Sequence, residues 1–196
     1  MKPPLRLGIL GSGKGSNFQA IVAQILDGRL NAEVRLVISD VQEAGILSYA
    51  RDFQVPALYV SPGRFRTKLE PEVEEDIVRL FREADVDLIV LAGFMRIVKE
   101  PLLKAFERRI INVHPSLLPK FPGLEAWKQA LEAGEKVTGC TVHYVNSGID
   151  TGSILGQRSV PVLATDTPEQ LHRRIQEAEH ELLPDVIGEL GAAPKI

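Results

Sequence analysis

The chain has 196 residues, 44% of them hydrophobic, a formal net charge of −3 and a single cysteine. That length supports one sizeable core and one domain. Interspersed charges leave no basic stripe for nucleic acid and no polybasic membrane patch. No apolar run approaches the roughly 20 residues that cross a bilayer, and Cys140 alone forms no internal disulfide. Met1-Lys2-Pro3-Pro4 runs directly into an apolar strand without a signal-peptide core, so a cytoplasmic protein is expected.

Leu5 to Leu10 is the first predicted strand. Gly11-Ser12-Gly13-Lys14-Gly15-Ser16-Asn17 follows it and leads into a helical pattern at Phe18, Ile21, Val22, Ile25 and Leu26 that stops at Gly28. Backbone N–H groups and the helix dipole make such a loop an anion site suited to phosphate, the plain alternative being a tight connecting turn. Two phosphate motifs are approached and missed. Gly8, Gly13 and Lys14 have P-loop spacing, but Gly15 stands where a magnesium-ligating Ser or Thr belongs. Gly11 and Gly13 begin a dinucleotide fingerprint, but Ser16 takes the third glycine position. Phosphate is expected; ATP and NAD are not.

A strand at Val34 to Ile38, a helix across Ala44 to Arg51 and a short strand near Pro56 to Val60 continue the β-α alternation. The loop Ser61 to Lys68 is basic, and Pro71 opens an acidic helix, Glu72 to Glu83, whose charged face reads as solvated surface. Val86 to Leu91 is a buried strand that breaks at Ala92-Gly93-Phe94-Met95-Arg96-Ile97-Val98. These apolar loop residues could line a slot for a flat heterocycle or pack under the helix expected from Lys99 to Arg108.

Ile110-Ile111-Asn112-Val113-His114 reads as the next buried strand, giving way at Pro115-Ser116-Leu117-Leu118-Pro119. Residues two apart share a face, so Asn112 and His114 project together at the carboxyl end of a strand, where open parallel sheets bind ligands. An amide and an imidazole there can serve as hydrogen-bond donor and proton-transfer group; a turn-capping histidine is the bland alternative. A helix at Leu124 to Ala133, strands at Val137 to Val145 and Ile154 to Val162, and a long helix opened by Thr167-Pro168-Glu169 complete the chain. The two strands read as an antiparallel extension of the sheet, and Cys140 reads as a small residue within the first. Asp150-Thr151-Gly152-Ser153 does not make an aspartic protease, which needs two such aspartates.

Taken together, Gly15-Ser16-Asn17, Leu91 to Arg96, the run Ile111 to Gly123, and His143 with Asp150-Thr151-Gly152 resemble the folate-dependent formyltransferases over nearly the whole chain. The resemblance implies a Rossmann-like α/β fold: an open, mostly parallel twisted sheet, helices on both faces, an antiparallel C-terminal extension, and one domain over 1–196 with a phosphate-binding half to about residue 90. It also implies 10-formyltetrahydrofolate as donor. The glycine and methionine-arginine loops point to members that formylate glycinamide ribonucleotide in purine synthesis.

Carried over by residue, Asn112, His114 and Asp150 are the implied catalytic trio. Gly15, Ser16, Asn17, Gln176 and Glu179 would hold the acceptor. Met95, Arg96, Ile97 and Val98, with Asn112, would hold the donor. The family often has an arginine followed closely by an aromatic ahead of the third helix; here the stretch is Arg66-Thr67-Lys68-Leu69-Glu70, and Lys68 is the substitute.

The chemistry needs an oxyanion donor and an acid, because an amine attacks the formyl carbon and tetrahydrofolate leaves from nitrogen. Asn112 suits the first need and a protonated His114 the second, with Asp150 raising the His114 pKa by favouring the cation. No His/Cys/carboxylate cluster has zinc-ligand spacing, so no metal is expected. A relative formylating a sugar nucleotide and a non-catalytic nucleotide-binding module are the competing readings. A tRNA acceptor is disfavoured by the negative net charge. A monomer and a homodimer are both compatible with the sequence.

Overall fold

The computed structural model describes residues 2–193. Strands β1 (Leu5–Leu10), β2 (Ala32–Ser39), β3 (Ala57–Tyr59), β4 (Leu88–Leu91) and β5 (Ile110–His114) are parallel, and β6 (Val137–Tyr144) and β7 (Ile154–Pro161) extend the sheet antiparallel. All seven form one sheet in the order β3-β2-β1-β4-β5-β6-β7. The helices are α1 (Ser16–Leu26), α2 (Gly45–Asp52), α3 (Pro71–Glu83), α4 (Glu100–Ala105), α5 (Ala126–Glu132) and α6 (Pro168–Ala192). The expected α/β sheet with its antiparallel extension is present.

The strand order dictates the layers. Winding from β1 out to β3 and then back across to β4 places α1 and α2 on one face and α3 and α4 on the other. Alternation along β4 sends Leu88 and Val90 into the core under α1, α2 and α6, and Ile89 and Leu91 into the core under α3 and α4. In β5, Ile111 and Val113 join the first core and Ile110 the second. Parity therefore turns Asn112 and His114 to the α3/α4 side, beyond the apolar layer. Between β1 and β4 the winding reverses, and the carboxyl-end crevice there is where such sheets take ligands. The glycine loop and the 92–98 loop meet at that point, Ser12 N–H donating to Gly93 O at 3.1 Å.

Several boundaries differ from the sequence pattern. The helix expected over 99–108 ends at Ala105, because Phe106 leaves helical geometry and Arg108 takes φ 53°. The fourth strand starts at Leu88 rather than Val86, and the Asp87 carboxylate is bound to the Arg6 guanidinium instead. The long helix continues to Ala192 with Pro184 inside it, and a reciprocal Thr167–Gln170 capping box fixes its start. The acidic face of α3 is not uniformly solvated. Glu74 is fully buried and accepts the N–H groups of Lys99 and Leu102 at 2.9 and 3.4 Å, satisfying donors at the start of α4. Cys140 lies fully buried in β6, within the larger core.

Candidate active site

The implied catalytic trio converges, and a fourth side chain joins it. β5 and β6 pair so that Asn112 faces His143 and His114 faces Thr141. Directly opposed antiparallel residues share a face, so Asn112 Nδ2 donates to His143 Nε2 at 3.3 Å. The His143 Nδ1–H donates to Tyr144 O at 2.8 Å, which leaves Nε2 of the neutral ring as an acceptor. The second N–H of the Asn112 amide remains uncommitted among the described residues. His143 is missing from the residues expected to act. An apolar strand ending in histidine was visible in the sequence; the register that sets it against Asn112 was not.

Asp150 sits below both histidines, its Oδ2 3.4 Å from His114 Nδ1 and its Oδ1 3.5 Å from His143 Nε2. Burial alone would raise its pKa, but the Gly123 N–H at 2.8 Å and the neighbouring His114 hold the carboxyl below the usual range. Asp150 has φ 52°, a left-handed conformation that aspartate tolerates and that the surrounding turn imposes. Gly152 makes that turn possible, since a Cβ there would fall 1.6 Å from Tyr144 O.

His114 is 4% exposed, and its Nε2 lies 2.8 Å from Phe121 O. Nδ1 faces the carboxylate, so both ring nitrogens are engaged. The Pro115–Pro119 turn is held from below by Thr141, whose Oγ1 donates to Ser116 O at 2.7 Å and accepts the Leu118 N–H at 3.1 Å.

The residues implied for the acceptor gather at the start of α1. Gly15 is its N-cap with φ 83°, and a Cβ there would fall 2.8 Å from the Ile46 backbone, so glycine is needed for the loop to turn under α2. Asn17 Nδ2 donates to Glu179 Oε2 at 3.0 Å, joining α1 to α6, while the buried Asn17 Oδ1 has no hydrogen-bond partner among the described residues. Burial pushes the Glu179 carboxyl up to about 7 against the opposing hydrogen bond from Asn17. Gln176 is half-buried on the preceding turn of α6.

The donor-loop residues divide. Phe94 and Val98 are buried in the α3/α4 core, whereas Met95 is 61% exposed and Ile97 half-buried. Arg96 is engaged with Asp40 and with loop carbonyls. Lys68 is half-buried; its Nζ rides 4.5 Å over the Phe65 ring, and its backbone bridges to Ile97. The 61–70 loop is thus laid against the 92–98 loop.

The open α/β sheet carries its Asn-His-Asp group at the end of β5, one strand from the switch point between β1 and β4. Residues 5–187 match the family described as formyl transferase, and the chain belongs to that family. It is 40% identical over 185 residues to the phosphoribosylglycinamide formyltransferase of Bacillus subtilis, 94% of each chain being covered. It is 45% identical over 195 residues to the trifunctional purine biosynthetic protein adenosine-3 of Drosophila pseudoobscura, of whose length it spans 14%. The crystal structure of glycinamide ribonucleotide transformylase 1 from Symbiobacterium toebii superposes with a TM-score of 0.93 at 45% identity, covering 97% of this chain and 89% of that one.

Proposed function

We propose that the protein transfers the formyl group of 10-formyltetrahydrofolate to the primary amine of glycinamide ribonucleotide, giving formylglycinamide ribonucleotide and tetrahydrofolate in purine (IMP) synthesis in the cytoplasm. The observation that carries this reading is the Asn112–His143–Asp150–His114 cluster at the end of β5, the strand next to β4 and β1, which end in the 92–98 loop and the glycine loop. Among the described residues no helix is long and apolar enough to cross a membrane.

The acceptor amine attacks the formyl carbon, forming a C–N bond and placing negative charge on the formyl oxygen. Asn112 donates its uncommitted N–H to that oxygen, His143 fixing the amide through the other. His114, 3.4 Å from Asp150, is the proposed acid and passes a proton to the leaving nitrogen as the old C–N bond breaks. The attacking nitrogen gives up one proton, so charge balances over the cycle. For His114 Nε2 to reach the reacting atoms, its hydrogen bond with the Phe121 carbonyl must open. Gly15, Ser16 and Asn17 take the acceptor's phosphate, Asn17, Gln176 and Glu179 its remaining polar groups, and Lys68, Met95, Arg96, Ile97 and Val98 frame the donor.

The test follows loss of 10-formyltetrahydrofolate by absorbance with purified protein. Loss that requires glycinamide ribonucleotide is expected; loss with a different amine, or none with either, would sink this assignment.

Glu179 gives the acceptor step a pH dependence. A buried carboxylate with one hydrogen bond is short of donors, and ligand hydroxyl or amine groups bind the ionised form more strongly than the neutral one. Acceptor affinity is therefore expected to rise as pH increases through about 7. The free protein behaves oppositely: a folded pKa above the ordinary 4.5 favours the protonated state, so stability declines as pH climbs from 4.5 toward about 7. Calorimetric titration of acceptor between about pH 6 and pH 8 measures the first trend, and Glu179→Gln should flatten it. A slope that survives the substitution would point to another group.

A further inference from the structure

One carboxylate outside the proposed chemistry holds the donor-side loops together. Asp40 follows β2, and its side chain is 4% exposed. Its Oδ1 accepts the Ser12 Oγ–H at 2.5 Å, and its Oδ2 accepts the Arg96 Nε–H at 2.7 Å. Ser12 Oγ in turn accepts the Met95 N–H at 2.9 Å. Arg96 Nη1 reaches onward, donating to the carbonyls of Phe65 and Arg66 at 2.7 Å each. Segments leaving the neighbouring strands β2, β1 and β4, and the 61–70 loop, therefore converge on this one side chain.

A buried ion pair is a poor source of stability compared with apolar packing, but it fixes geometry, and the fork of a guanidinium does so in a plane. Three of the five Arg96 N–H bonds are spent on Asp40 and on backbone carbonyls. The guanidinium therefore acts as a strut, leaving the backbone of residues 93–98 to face the donor.

We propose that Asp40 is a positioning residue for the formyl donor: through Arg96 and Ser12 it sets the backbone of the 93–98 loop against which the donor's ring system lies. This rests on the donor assignment above. Removing the carboxylate frees Arg96 and the Ser12 hydroxyl that receives the Met95 amide, so the loss falls on donor binding and spares the glycine-loop amides at Gly15 to Asn17.

The test is steady-state kinetics of Asp40→Ala and Asp40→Asn, with donor binding also measured by calorimetry so that the readout does not depend on turnover. Asp40→Ala is expected to raise the donor KM and Kd about tenfold, the scale of a lost charge-assisted contact, with kcat and acceptor KM within about twofold of the parent. Asp40→Asn, which keeps one acceptor oxygen, should recover part of the loss. In a cycle with Arg96→Ala, the double variant should fall short of the summed single effects, because both act on one strut. Unchanged donor affinity, a matched rise in both KM values, or additive effects would each overturn the proposal. If Asp40→Ala fails to fold, Asp40→Asn and Ser12→Ala carry the same comparison. A parent protein that neither binds nor consumes the donor would defeat the functional assignment instead.

Discussion

Alanine at position 114 is expected to lower kcat by at least 10² to 10³, the usual order for losing a group that acts only in the transition state. The acceptor Kd should stay within about twofold, because the recorded polar partners of the imidazole, Asp150 and Phe121 O, lie outside the glycine loop and α6, and binding energy that serves both states is untouched. His114 lies against Asp150 and Phe121 O, and the phosphate loop is held separately by α2 and α6. Asn112→Ala should cost a similar factor. The double variant should lose less than the product of the two, since both groups serve one developing charge. Single-turnover kinetics beside calorimetric acceptor binding measures the split, and a His114→Ala protein with parental kcat would defeat the proposed acid.

The second large effect is on stability and comes from Glu74. Its carboxylate is fully buried and caps the start of α4, the helix that follows the donor loop. Burial raises its pKa, and the two backbone N–H groups work against that shift. Glu74→Ala removes the acceptor and orphans both donors, at a cost of about 2–4 kcal/mol. For a chain of this size that lowers the melting temperature by roughly 2–4 °C per kcal/mol. Calorimetric melting of the parent, Glu74→Ala and Glu74→Gln measures it, and a loss under about 1 kcal/mol for alanine would mean that water replaces the cap.

The sheet was legible because its signals are local. β1 and β5 follow from short apolar runs ended by glycine or proline, and the start of α6 from a capping pattern that the structure reproduces. Asn112 and His114 share a face because strand residues two apart must. What the sequence could not show depends on contacts between distant segments. His143 joins Asn112 only through the antiparallel register, Glu74 is buried only because α4 begins where α3 passes, and Asp40 meets Arg96 across 56 positions. A charge in the chain carries no mark of the partner that will bury it, so the acidic face of α3 reads as solvated until α4 is placed.

Cys140 offers a way to observe the sheet from within. Only a thiolate reacts readily with disulfide or alkylating reagents, and burial pushes this thiol up to about 12 while β6 hides it from solvent. Such a reagent cannot label the closed protein. Each labelling event therefore records an opening of β6 away from its neighbours, and the chain's one sulfhydryl acts as an intrinsic counter of those openings.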